Sequence, residues 1–187
     1  MQNETEWKSK IFRTTSEMVC EKIYSIFKEV FKCETRISVE YVFQKTIQNR
    51  NPVQHVKMAG RKSRHRSKTR KSVPLEKKRK YYSYQIFVNN NKGMNILESE
   101  KIHDPNIWYK NLENNVDVKK YIGIAVSVLD DEKVNFILQI DFLDDFKVGK
   151  KDSEEEIKNF VDQYLLSYVN IVTLAYLLNL NSKKELN

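Results

Sequence analysis

The stretch "YIGIAVSVLDDEKVNFILQIDF" (121–142) constrains the fold more than any other. Ile122, Ile124, Val126 and Val128 recur at every second position. After the polar "DDEK" the same period returns in Val134, Phe136, Leu138, Ile140 and Phe142. Successive strand side chains point to opposite faces, so two such runs about a short polar turn predict a β-hairpin. The opposite face carries Ala125, Ser127, Ile137 and Gln139. It is partly apolar, so the hairpin is expected to be covered on both sides.

Helices are expected at both ends of the chain. Over residues 4–33, Trp7, Ile11, Met18, Val19, Ile23, Ile26, Phe27, Val30 and Phe31 recur at helical spacing. At the other end, Ser153 and Glu156 form a capping box, and Glu154 and Glu155 complement the helix N-terminus. From there Ile157, Phe160, Val161, Tyr164, Leu165, Tyr168, Val172, Ala175 and Tyr176 mark one stripe to residue 180, and Leu166, Ile171, Leu174, Leu177 and Leu178 widen it. More apolar surface than one sheet can cover calls for another helix as partner, either the N-terminal helix or one from a second copy of the chain. The segment "YLLSYVNIVTLAYLLNL" (164–180) falls short of the roughly 20 residues a membrane span needs. Ser167, Asn170, Thr173 and Asn179 interrupt it, so no span is expected.

Between the ends, "RISVEYVFQK" (36–45) alternates as a strand, "NRNP" (49–52) signals a turn, and a second strand is expected over Val53–Gly60. "YYSYQIFVNNN" (81–91) fits a helix or a strand. "MNILESEKI" (94–102) reads as a short strand, and "DPNIWYKNL" (104–112) as a loop with a helical turn. A central antiparallel sheet flanked by long terminal helices, an α+β fold, assembles this order most economically. Residues 1–35 are then the N-terminal helix and 36–187 the sheet with its closing helix, all in one domain.

The charge is concentrated. Gly60–Lys80, "GRKSRHRSKTRKSVPLEKKRK", holds eleven Lys or Arg and one Glu in a chain whose formal net charge is +8. Such a run neutralises phosphates and releases counterions, so Arg61, Lys62, Arg64, Arg66, Lys68, Arg70 and Lys71 are candidate polyanion ligands. Tyr81, Tyr82 and Tyr84 follow directly, and aromatics beside basic residues can stack bases. No helix-turn-helix or zinc-finger pattern accompanies them. Interleaved serines and the scarcity of apolar residues equally suit a solvated internal loop.

Other chemistries find little. Asp141, Asp144 and Asp145 in "DFLDDF", and His103 beside Asp104, are the acid–base candidates; carboxylates at strand ends are commonly solvated turn residues, and no enzyme activity is expected. No Gly-rich phosphate loop is present. His55, His65 and His103 are scattered, so neither metal nor cofactor is expected. Cys20 and Cys33, on or near one helix, would stand about 19 Å apart and cannot form a disulfide. With the polar start "MQNETEWKSK", which lacks a signal-peptide core, they suit the cytoplasm.

The order of elements resembles the GAF domain, a small sensory fold related to PAS. Residues 120–142 look like the paired late strands of that family, and the helix at 153–180 sits where the closing helix sits. "YSYQIFVNNNKGMNILESEKIHDPNIW" (82–108) looks like its middle section, with Gly93 and Asp104 in plausible positions. The resemblance spans about residues 20–180. Ala125 stands where many relatives have a nearby Pro, and Asn135 where Gly is common. The Asn-Lys…Phe…Asp-Glu signature of cyclic-nucleotide binders is absent, and no middle-section cysteine could hold a bilin. Neither Cys20 nor Cys33 matches the pocket cysteines of GAF-type methionine sulfoxide reductases.

The resemblance implies a stand-alone regulatory module, since only "NSKKELN" follows the last helix. It implies a small ligand, an anion among the candidates, or a protein partner. Tyr84, Phe87, Asp104, Trp108 and Tyr109 would line or lid the cavity between sheet and middle section. It also implies a homodimer through the terminal helices, which would carry the signal to a separate output protein. The alternative expectation is a nucleic-acid-binding accessory protein using residues 61–80.

Overall fold

The computed structural model describes residues 4–45, 51–64, 71–109, 117–129 and 132–184, with side chains described between Lys10 and Leu180. The chain begins with helix α1 (Glu4–Glu29), followed by strands β1 (Thr35–Lys45) and β2 (Val53–Lys62). A two-residue strand β3 (Val73–Pro74) leads into a 3-10 turn (Leu75–Lys78) and helix α2 (Tyr82–Asn89). Then come β4 (Gly93–Leu97), the short helix α3 (Ser99–Ile102), β5 (Lys120–Val126) and β6 (Phe136–Phe142). Helices α4 (Glu154–Tyr164) and α5 (Leu166–Lys184) close the chain.

The six strands form one sheet in the order β3-β2-β1-β6-β5-β4, every neighbouring pair antiparallel. β1 and β6 lie at its centre, so the alternation in these strands decides what each side of the sheet is. On one side, Ile37 and Val39 of β1, Leu138, Ile140 and Phe142 of β6, and Ile122 and Ile124 of β5 pack beneath α1, α4 and α5. Phe27 is fully buried there, edge-on to Phe142 and Phe146 at 5.1 and 5.5 Å. Gly60 of β2 lies directly against the α1 backbone at Ser16 and Glu17, an approach that leaves no room for a Cβ. On the other side, Val42, Val56, Ala125, Ile137 and Tyr121 meet a thinner layer of Leu75, Ile86, Phe87, Leu97 and Ile102. The hairpin is therefore covered on both sides.

Several expected boundaries shift for identifiable reasons. α1 stops at Glu29 rather than 33 because Lys32 turns left-handed (φ 53°) and the Cys33 N–H donates to the Phe27 carbonyl at 3.0 Å. The ambiguous segment 81–91 is a helix, ended by Asn90 in the left-handed region, which Asn tolerates. The strand expected over 94–102 ends at Leu97, and Ser99–Ile102 is helical. The hairpin strands are shorter than their periodicity. Val128 and Val134 are buried outside the ladder, and Asn135 closes the connection, its amide donating to Val126 O (2.8 Å) and its side-chain carbonyl accepting from the Val128 N–H (2.7 Å). A helical turn follows Asp104, whose carbonyl accepts from the Ile107 and Trp108 amides. Residues 49 and 50 of the "NRNP" turn fall outside the described residues.

The closing helix begins as expected: Ser153 Oγ accepts from the Glu156 N–H, and Glu156 accepts in return from the Ser153 N–H. It does not run unbroken to residue 180. α4 and α5 meet at an angle of 60° about Leu165, which is completely buried. No glycine or proline marks that break. The bend lets α4 set Phe160 against Phe27, Phe31 and Phe146 while α5 lies along α1, where Phe12 meets Tyr176 edge-on at 5.3 Å. The N-terminal helix is thus the partner of the closing helix within the chain. Among the described residues no single helix is long and apolar enough to cross a membrane; α4 and α5 together have the composition but are bent.

Candidate functional site

The thinly covered face of the sheet buries a row of polar side chains. β1 presents Arg36, Ser38 and Glu40 there, and the pairing sets Arg36 beside Asp141 and Tyr121, Ser38 beside Gln139 and Gly123, and Arg61 of β2 beside Ser38. Gly123 matters because a Cβ at that position would strike the Tyr121 ring. Its absence lets the ring lie along the sheet and the hydroxyl donate to Gln139 Oε1 at 3.1 Å; Gln139 Nε2 then approaches Ser38 Oγ at 3.5 Å.

Two ion pairs frame this row. Arg36 grips Asp141 Oδ2 through Nε and a terminal nitrogen, each at 2.6 Å. Lys78, from the 3-10 turn, reaches inward to Glu40 Oε1 at 3.1 Å. Glu40 is only 5% exposed, and its second oxygen, Oε2, is buried without a hydrogen-bond partner. Such a group is rare in folded proteins because the desolvation penalty is not repaid. Burial raises the Asp141 carboxyl above its ordinary value; Arg36 and Arg61 work against that and Glu40 adds to it. Burial likewise raises the Tyr121 phenol well above its usual range, with Asp141 and Glu40 adding, so it remains neutral. The row thus offers neutral donors and acceptors, two carboxylates held by cations, and one free carboxylate oxygen.

The five residues expected to line a cavity do not act together. Phe87 is buried in the thin core and Trp108 rests on the Tyr121 ring at 5.4 Å, so these two belong to the roof of the row. Tyr84 is tied to Glu76 Oε1 at 3.0 Å on the exterior. Asp104 accepts from the Asn106 amide at 2.9 Å within its own turn. Tyr109 is on the surface, 5.3 Å from Tyr81. The basic candidates also separate. Arg61 faces the buried row, whereas its neighbour Lys62 is on the helical side, paired with Glu21 at 2.7 Å and lying over Tyr24. Arg64 and Lys71 are exposed; Arg66, Lys68 and Arg70 lie outside the described residues. Residues 60–80 are therefore not a uniform loop. They finish β2, form the edge strand β3, which pairs with His55 and Val56, and bury Leu75.

Asp141 corrects an expectation: it is no turn residue but a buried member of β6. Arg36, Ser38, Glu40, Tyr121 and Gln139 were not singled out by sequence. For Arg36, Ser38 and Glu40 the signal was the polar half of the β1 alternation, which reads equally well as a solvent face; Tyr121 and Gln139 lie on the hairpin face opposite its uniformly apolar one. Both cysteines are free and buried, and burial pushes Cys20 up to about 12 and Cys33 up to about 11, so neither is a thiolate nucleophile at neutral pH. Among the described residues no cluster of His, Cys, Asp and Glu could hold a metal.

No family model matches the chain, and no curated protein matches it in sequence. Among solved structures it is similar to the GAF domain of PixJ from Thermosynechococcus elongatus in its blue-light absorbing form. The identity is 12% and the TM-score 0.46, over 95% of this chain and 92% of that one. At that identity and score the likeness assigns this chain neither ligand nor activity. The order of elements on which the GAF resemblance rests is the order observed, the sheet strands falling between the terminal helices along the chain and both helices packing on one of its faces.

Proposed function

We propose that this chain is a GAF-like regulatory module that reads a small ligand on the buried polar row and passes its state to a partner through the terminal helices. The unpartnered Oε2 of Glu40 carries this reading. A buried carboxylate oxygen that faces no donor favours an incoming N–H or O–H, so the ligand class is a compact donor-bearing molecule rather than a simple anion. Tyr121, Gln139 and Ser38 supply adjacent neutral hydrogen bonds, and Trp108 with Phe87 supplies an apolar cover of the kind small-molecule sites use.

The output surface is α5. Leu166, Ile171, Leu174 and Leu178 are exposed on a helix whose other face packs on α1, with Leu174 at 63%. The spacing of Ile171, Leu174 and Leu178 makes a seam of the coiled-coil type, which suits a second copy of this chain.

Thermal-shift screening against nucleobases, amino acids and polyamines tests the ligand. A hit should raise the melting temperature of the wild type, and Glu40→Gln and Trp108→Ala should each abolish the rise. A panel without any hit, or a hit indifferent to both substitutions, overturns the reading. Sedimentation tests the dimer: a mass near twice 22.3 kDa is expected, falling to one copy in Leu174→Glu. A monomeric wild type at high micromolar concentration rejects it.

A further inference from the structure

The part of the basic segment that follows β3 builds a second surface with different chemistry. Lys77, Arg79 and Lys80 are exposed around the 3-10 turn and the start of α2, and Lys78 lies among them. Glu76 is the carboxylate of this turn, and it is engaged by Arg79 at 3.0 Å and by Tyr84. Of the three consecutive aromatic candidates, Tyr82 turns inward against Tyr121 at 5.4 Å and Tyr84 is held by Glu76. Tyr81 is half-buried and meets Tyr109, brought from the far side of α3, at 5.3 Å and 75°. Each ring has an ammonium near its face: Lys78 Nζ is 4.5 Å from the Tyr81 centroid and Lys80 Nζ 5.5 Å from that of Tyr109. Tyr109 is 38% exposed.

We propose that Tyr81, Tyr109, Lys77 and Lys80 form a binding surface for single-stranded nucleic acid. An aromatic face beside ammonium groups answers both halves of an unpaired nucleotide. The base stacks on the ring, and a lysine displaced from the ring meets the adjoining phosphate. A duplex keeps its base faces stacked within itself and would use only the lysines. An anionic membrane would likewise use charge and leave the ring faces without a role. The Tyr81–Tyr109 pair therefore favours the single strand over both, and it narrows the contact to the side of the sheet opposite Lys62.

The test is fluorescence anisotropy with the full chain, a labelled thymidine oligomer of about twenty nucleotides and a duplex of equal length, over a range of salt. Vesicles of phosphatidylserine and phosphatidylcholine serve as a third probe. The wild type should prefer the single strand. Tyr109→Ala, at an exposed position, should weaken single-strand binding at least about fivefold and leave duplex and vesicle binding unchanged. Lys77→Gln with Lys80→Gln should lower the slope of log affinity against log salt by about 1.4 for the single strand. Equal affinity for all three probes, affinity unmoved by Tyr109→Ala, or no binding at low salt would each overturn the proposal. Tyr109→Phe, which keeps the ring, should retain binding; its loss would count equally against stacking.

Discussion

The Lys78–Glu40 ion pair makes a quantitative expectation. Both side chains are largely buried, 14% and 6% exposed, with Nζ 3.1 Å from Oε1. Unit charges at that distance attract by about 5 kcal/mol at an effective dielectric near 20, and desolvating both ions consumes much of this. The pair as a whole thus contributes little, yet removing one partner strands the other. Lys78→Met leaves a buried carboxylate with neither oxygen paired and should lower stability by about 3–5 kcal/mol. Glu40→Gln is milder, about 1–2 kcal/mol, because the freed lysine is close to solvent and keeps the Tyr81 ring. The double variant should recover at least about 2 kcal/mol of the loss caused by Lys78→Met, a coupling of the kind seen between groups in direct contact. Urea unfolding of the four proteins measures each value. In melting temperature the single Lys78→Met change amounts to roughly 10 °C for a chain of this size. Additive effects, or a Lys78→Met loss below about 1 kcal/mol, would refute the reading of Glu40 as a buried charge held by one cation.

Three further outcomes follow from other contacts. Asp141 has its folded pKa raised by burial despite Arg36, so its ionised form opposes folding at neutral pH and that opposition disappears as pH falls through the raised value to the ordinary one. Acidification through the carboxylate range should therefore raise the stability of the wild type relative to Asp141→Asn; a relative fall would reverse the sign. Gly60→Ala pushes a methyl into the α1 backbone, with Glu17 N only 2.6 Å from the new Cβ, and should destabilise by about 1–3 kcal/mol; an unchanged denaturation midpoint would mean the helix stands further off. Lys120, buried at the start of β5, bonds to Asp152 before α4 and reaches Glu98 at 3.4 Å. Lys120→Met should cost about 2–3 kcal/mol in a denaturant titration, and a neutral effect would remove this clasp from the account.

The sheet was legible where one face is uniformly apolar. Ile122 to Val126 and Phe136 to Phe142 carry their strands in the two-residue period, and Ser153 with Glu156 announces α4 by local hydrogen-bond chemistry. What stayed hidden depends on contacts distant in sequence. Around Leu165 the apolar pattern runs on without a glycine, a proline or a polar gap, so nothing local distinguishes a bent helix from a straight one. The same holds for Arg36, Ser38 and Glu40. Alternation shows that they share a face, but whether that face meets water depends on a segment some 40 residues later folding over it. Lys78 was visible as one charge among eleven, while its inward orientation is set by the buried Leu75 three residues before it.

That one ammonium has two neighbours, the Glu40 carboxylate and the Tyr81 ring. The buried row and the Tyr81 ring therefore share a single charge. A guest donating to Oε2 would share the Glu40 charge with Lys78 and weaken the hold of Oε1 on that ammonium. A polymer that draws Lys78 outward strips Glu40 of its counter-ion and makes a donor-bearing guest more welcome. Reciprocity then requires each event to favour the other by the same factor, so the chain would behave as an AND gate wired through one lysine, which Lys78→Met would cut.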